Sequence, residues 1–199
     1  MNSEVARASL APATRAVVAR RIAAAALGAL VVALSAQIVV PVPFSPVPMT
    51  LQPLAVLVVG ALLGGGAGLA ALLLYIALGI AGLPVFAAGG SGVARLLGPT
   101  GGYLLAFPVA AFITGILTTP VLGPNRPLGT AAILRVLLAC AVGMVVIHVG
   151  GVAQLALLGG DPALAFRLGF IPFLTGDLIK VGLAAVLILV AGPKIRSLL

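Results

Sequence analysis

Charge is what this sequence most lacks. Only 7% of its 199 residues are Asp, Glu, Lys or Arg, against 62% hydrophobic, whereas soluble domains carry roughly 25% charged residues. With a mean hydropathy of +1.34, a soluble globular domain is excluded and a membrane protein is left. No Arg, Lys, Asp or Glu stands between Arg21 and Arg95. That run far exceeds the ~20 apolar residues one crossing needs, so it must fold into several spans.

Other absences narrow the chemistry. Cys140 is the single cysteine, which excludes an intramolecular disulfide and a cysteine metal cluster; it reads as a small packing residue. A phosphate-cradling loop needs Gly-Lys followed by Ser or Thr, and neither "GALLGGGAG" nor "GGSGVARLLGPTGG" contains it. There is one histidine, His148, with three acids and no serine in a nucleophile elbow, so neither catalysis nor a resident cofactor or metal is expected. A cleaved leader is not expected either, because residues 1–21 hold Glu4 and four arginines without a short apolar core. The net charge of +8 reads as topology signalling and contact with anionic membrane lipid, not as a nucleic-acid surface.

What is present is apolar sequence broken by proline and glycine. Six spans are predicted, at 18–40, 51–64, 67–83, 101–119, 131–155 and 173–192, giving an all-α bundle. Residues 1–17 form an N-terminal tail, 18–192 one transmembrane domain and 193–199 a C-terminal tail. Stretches such as "AALLLYIALG" do not alternate as a β-barrel strand would. Arg7, Arg15, Arg20 and Arg21 before the first span, Arg126 between the fourth and fifth, and Lys194 with Arg196 after the last place both termini in the cytoplasm by the positive-inside rule. "GGGAG" (64–68) predicts a tight turn between the second and third spans.

Two outer segments do not read as plain connectors. "PVPFSPVPMTLQP" (41–53) holds five prolines, which fix φ and deny helix to their predecessors. "AAGGSGVARLLGPTGG" (87–102) combines six glycines with Arg95. Both are apolar enough to lid a pocket, since irregular backbone is tolerated at membrane depth where it lines a cavity. In "TGDLIKVG" (175–182), Asp177 and Lys180 stand three apart on one helical face. A carboxylate suits the first turn of a helix and a cation does not, so Lys180 points to an anionic ligand; a self-compensating ion pair is the alternative. His148 reads as a polar group bonded across helices, with a ligand contact as the alternative. Ala25, Ala29 and Ala33 form a small-residue stripe that serves either internal packing or a separate membrane subunit. Together these residues describe a pocket for a small molecule with N–H or O–H donors at one end, a carboxylate at the other and an apolar middle.

Over about residues 18–192 the chain resembles the BioY family, the biotin-specific substrate-binding (S) components of energy-coupling-factor (ECF) transporters. The resemblance rests on "PVPFSPVPMTLQ" (41–52), "GLPVFAAGGSG" (82–92), "LLGPTGGYLLAF" (96–107) and "FLTGDLIKVGLAA" (173–185). It implies six membrane helices, lids from the first and third loops, and biotin as substrate in a bacterial plasma membrane. Asp177 would then accept from the ureido ring while Lys180, with Arg95, neutralises the carboxylate; Gly101, Gly102 and Tyr103 would shape the pocket. It also implies a transmembrane coupling (T) protein, docked on the Ala25/Ala29/Ala33 stripe, and two ABC-type ATPases that hydrolyse ATP. The first alternative, a stand-alone secondary transporter, would typically show internal repeats and a broken mid-membrane helix, neither of which is seen in the sequence; the second is an S component for another vitamin.

Overall fold

The computed structural model describes residues 3–123 and 129–198, with backbone alone for 3–16. Of the residues used to orient the chain, Arg126 lies outside this set, as do the side chains of Arg7 and Arg15.

Helix α1 (Ser3–Ser35) begins well before residue 18, so the expected tail is a helical extension of the first span. It ends five residues short of the expected boundary. The reason is local: Val39–Val40 are β-branched and precede Pro41, and they pair antiparallel, as strand β1, with β2 (Met49–Thr50). This two-stranded clasp frames the proline-rich segment.

Helices α2 (Gln52–Leu63) and α3 (Gly65–Ile80) follow, with Pro53 in the first turn of α2, where its missing N–H costs nothing. The chain reverses through Gly64, whose φ of 88° favours glycine. The two helices run antiparallel, since Gln52 at the start of α2 donates to the Tyr75 hydroxyl near the end of α3 at 2.7 Å. They cross at glycine, where a Cβ on Gly68 would stand 2.9 Å from the Gly60 Cα. With 12 and 16 residues they are about 18 and 24 Å long, shorter than the ~30 Å hydrocarbon core. The shortness of α2 leaves room above its N-terminus.

A 3₁₀ turn (Ala87–Gly89) and the short helix α4 (Val93–Leu97) lead to α5 (Gly101–Thr118), which packs against α2, α3, α4 and α6 (Thr130–Gly159). The segment after α6, expected to be a connection, contains helix α7 (Pro162–Gly169). Gly160 ends α6 in the left-handed region, Asp161 accepts from the Ala163 and Leu164 amides at 2.9 and 3.0 Å, and Pro162 opens the helix. A 3₁₀ turn (Ile171–Phe173) joins it to α8 (Leu174–Leu198).

Among the described residues, four helical stretches are long and apolar enough to cross a membrane: Val17–Ser35, Gly101–Thr118, Thr130–Gly159 and Pro162–Leu198. Large aliphatic side chains such as Leu30, Leu134, Val149 and Val190 stay exposed on them, as a lipid-facing surface requires. The chain is a multi-pass, all-helical membrane protein.

Residues 18–25 of α1, the α2–α3 turn and Arg196 of α8 border one groove, so this part of α1 and the C-terminal part of α8 lie at the same end of the bundle. Arg196 does more than carry a topology charge. Its guanidinium donates to the Ala61 carbonyl from Nε (3.0 Å) and Nη2 (2.8 Å), to the Gly115 carbonyl (3.2 Å) and to the Thr119 hydroxyl (3.1 Å). It therefore caps the Ala61 carbonyl at the C-terminal end of α2 and adds a donor to the Gly115 carbonyl of α5, which the Thr119 amide also reaches; a cation suits the helix dipole at both places.

Candidate binding site

A cavity opens at the other end of the bundle, above α2. Its volume is ≈ 60 Å³, measured as space open to the centre of a water-sized sphere, several times the ~10–15 Å³ that one water needs. Its walls come from six places in the chain: Val47–Thr50 of the proline-rich segment, Gln52 and Pro53 of α2, Phe86 and Ala87 with Arg95 of α4, the start of α5, Ile147 and His148 of α6, and Phe173 with Asp177 and Lys180 of α8. The first and third loops both line it, as expected of lids.

Asp177 lies in the first turn of α8, where the helix N-terminus favours a carboxylate. It is 6% exposed, yet both its oxygens are engaged: Lys180 Nζ donates to Oδ1 at 2.9 Å, and His148 Nε2, from α6, lies 2.6 Å from Oδ2. Since an ionised carboxylate only accepts, the imidazole donates from Nε2. Nδ1 of His148 is buried and unpartnered among the described residues. The Tyr103 and Phe170 rings meet the imidazole edge-on, with centroids 6.0 and 4.9 Å away, and Phe173 flanks it. One bond per oxygen leaves the carboxylate further lone pairs for a ligand donor.

The structure divides the residues expected at the site into three groups. Asp177, Lys180, Tyr103 and Arg95 all line the cavity, and Tyr103 is fixed by donating its hydroxyl to the Gly169 carbonyl at 2.6 Å. Gly101 and Gly102 do not line it. A Cβ on Gly101 would stand 2.6 Å from Gln154 Nε2, and one on Gly102 2.7 Å from Gln154 Cβ, so these glycines shape the pocket indirectly by letting α5 approach α6. The alanine stripe turns inward: Ala29 is 2% exposed, and Ala25 and Ala33 pack against the same core. Ala29 packs inside the bundle, where Gly28 beside it brings α1 onto Val59 and Ala71, while Ala25 and Ala33 are only partly covered.

Several lining residues were not singled out from sequence. Gln52 is 4% exposed and held by Tyr75, whose hydroxyl donates on to the Val85 carbonyl at 3.2 Å. Phe86, Phe107 and Ile147 supply apolar wall, joined by Phe173 of "FRLGFIPFL" (166–174), the one phenylalanine-rich stretch that the sequence offers for that role. Gln52 could have been found as the one amide entering α2 in a charge-free run. The other aromatic residues carry no comparable signal in so apolar a chain. Gln37, just after α1, ties that helix end to the glycine-rich lid, accepting from the Gly89 amide at 3.0 Å.

Comparison with known proteins agrees with this architecture. A probable biotin transporter BioY of Pyrococcus horikoshii is 37% identical over 85% of this chain and 94% of its own length. The biotin transporter BioY of Rhizobium etli is 33% identical over 82% of this chain and 87% of its own. The crystal structure of the S component for biotin from an ECF-type ABC transporter superposes with a TM-score of 0.73, at 27% identity, over 90% of each chain. The BioY family model matches residues 5–197, and the chain belongs to the BioY family.

Proposed function

We propose that this chain binds biotin in the cavity and is the substrate-capture subunit of an ECF-type ABC transporter that takes biotin up across the bacterial plasma membrane. The observation that carries this reading is the buried Asp177–Lys180–His148 cluster at an aromatic-walled cavity whose lining also includes Arg95. Biotin offers ureido N–H donors and a carbonyl at one end, an apolar fused ring and aliphatic chain in the middle, and a carboxylate at the far end. Relatives named as biotin transporters and the biotin S component with the same fold support the same ligand.

The ion pair revises the roles expected of its two members. Asp177 and Lys180 are joined at 2.9 Å, so they cannot serve opposite ends of an extended ligand. In our reading both meet the ureido group, Asp177 accepting from N–H and Lys180 donating to the carbonyl. Arg95 then meets the carboxylate. Tyr103, Phe107 and Phe173 enclose the apolar middle.

Six membrane helices with both termini cytoplasmic are part of the proposal. It is supported by the α2–α3 hairpin, which adds two apolar helices to the four long stretches, and by Arg20, Arg21, Lys194 and Arg196 near the two chain ends. The missing Walker sequence requires ATP hydrolysis by two ABC-type ATPases, linked through a transmembrane coupling protein. The groove of ≈ 630 Å³ bordered by Ala24, Ala25, Gly64–Ala67 and Ala70 suits that protein better than Ala29, which the bundle covers.

Isothermal titration of the purified chain with biotin, thiamine and riboflavin tests the reading. Heat from biotin alone is expected. Binding of another vitamin instead would reassign the substrate, and no binding by folded protein would remove the proposal.

A further inference from the structure

Exposed aliphatic side chains on the spanning helices are accounted for by lipid, but the most exposed aromatic side chain lies in the proline-rich segment. Phe44 is 95% exposed, and its φ of 67° lies in the left-handed region that favours glycine. The cause is a turn. The Ser45 amide donates to the Val42 carbonyl at 3.2 Å, closing a four-residue turn with Pro43 second and Phe44 third, and a positive φ at the third position ordinarily selects Gly or Asn. Glycine there would be unstrained. At 95% exposure the ring gains almost no cover from the chain, so the surroundings that would cover it lie outside the chain.

Its level in the bundle identifies those surroundings. The Ser45 hydroxyl donates to the Leu168 carbonyl at 2.8 Å, pinning the turn to the C-terminal end of α7. Helix α7 joins α6 to α8, both of them long apolar helices, so it sits at the edge of the bilayer. It exposes Leu164 and Phe166 beside the charged Arg167, with Asp161 at its N-cap, the pairing of apolar and charged groups found on elements that lie in the membrane interface. Phe44 is tied to that level, where interfacial elements bury Phe, Trp and Leu at the headgroup–acyl boundary.

We propose that Phe44 inserts its ring at the headgroup–acyl boundary of the bilayer and, with α7, anchors the outer mouth of the cavity to the membrane surface. The turn runs directly into Val47–Thr50, which line the cavity, so the anchor restrains one of its walls. This goes beyond the substrate reading and does not rest on it.

The chain has no tryptophan, so Phe44→Trp in the full chain, reconstituted in phosphatidylcholine–phosphatidylglycerol vesicles, supplies a single indole reporter. The expected result is emission shifted to the blue of N-acetyltryptophanamide in water, lost when the lipid acyl chains are brominated and insensitive to aqueous iodide. Emission at the water position, quenched by iodide and not by brominated lipid, overturns the proposal. So does blue-shifted emission unquenched by brominated lipid, which would mean that protein covers the ring. Should that variant fail to fold, Phe44→p-benzoylphenylalanine irradiated in the same vesicles carries the test: a lipid adduct in the intact mass is expected, and a cross-linked dimer or no adduct refutes the anchor.

Discussion

At the scale of the residue, the site is organised by Asp177, and its neighbours can be separated by substitution. Asp177→Asn presents a donor where an acceptor is needed and leaves Lys180 buried without its counter-charge. Biotin affinity should fall by about 1–3 kcal/mol, the scale of a mismatched buried polar group, and titration giving unchanged affinity would remove Asp177 from the site. Lys180→Met and Arg95→Gln divide the ligand between them. If Lys180 stands at the ureido end, its loss should weaken biotin and a neutral biotin amide alike. Losing the more exposed Arg95 should weaken biotin by about 1 kcal/mol and leave the amide unaffected. The reverse pattern would return Lys180 to the carboxylate. His148→Gln keeps a donor in the place of Nε2, whereas His148→Leu strips one Asp177 oxygen of its partner. The Leu variant should lose about 1–3 kcal/mol of stability, read as a lower melting temperature in detergent, and the Gln variant much less.

At the scale of the element, glycines that carry no chemistry decide where the helices sit. A Cβ on Gly60 would stand 2.6 Å from the Ala111 Cα, against backbone that cannot yield as a flexible side chain would. Gly60→Val should therefore cost about 1–3 kcal/mol or more by overpacking. It should also lower biotin affinity, since α2 carries Gln52 into the cavity; thermal unfolding and titration of one preparation check both. Element positions were largely legible in the sequence, because prolines and glycines punctuate an otherwise uniform apolar chain: four of the six predicted spans match helices to within four residues at each end, while α1 starts well before its expected bound and α8 runs past its own. The short elements were not. α4 and α7 have 5 and 8 residues, too few for periodicity to register, although the Gly160-Asp161-Pro162 cap could have announced α7. The β1–β2 clasp was hidden for the same reason, each strand being 2 residues long.

At the scale of the whole molecule, the site was legible where charge made it so and illegible where only three-dimensional packing creates it. In a chain with three acids, Asp177 and Lys180 announce themselves. That His148, 29 residues away, completes the cluster depends on how α6 meets α8, which no local pattern encodes. The alanine stripe shows the limit from the other side: small residues every fourth position predict close approach by some helix, but not whether that helix belongs to the same chain. Here it does, so Ala29→Leu would strike the core and could not distinguish docking from folding. The groove offers a cleaner experiment. A Cβ on Gly66 meets nothing within 4 Å, and Ala70, also on α3, borders the same groove. Gly66→Leu with Ala70→Trp should fill it while touching neither the cavity nor the core. Biotin affinity and melting temperature of the isolated chain should be unchanged, and copurification with a transmembrane coupling protein and its ATPases should be lost. Intact copurification would move the docking surface elsewhere, and the exposed Leu27, Leu30 and Leu34 on the outer face of α1 would be the next to substitute.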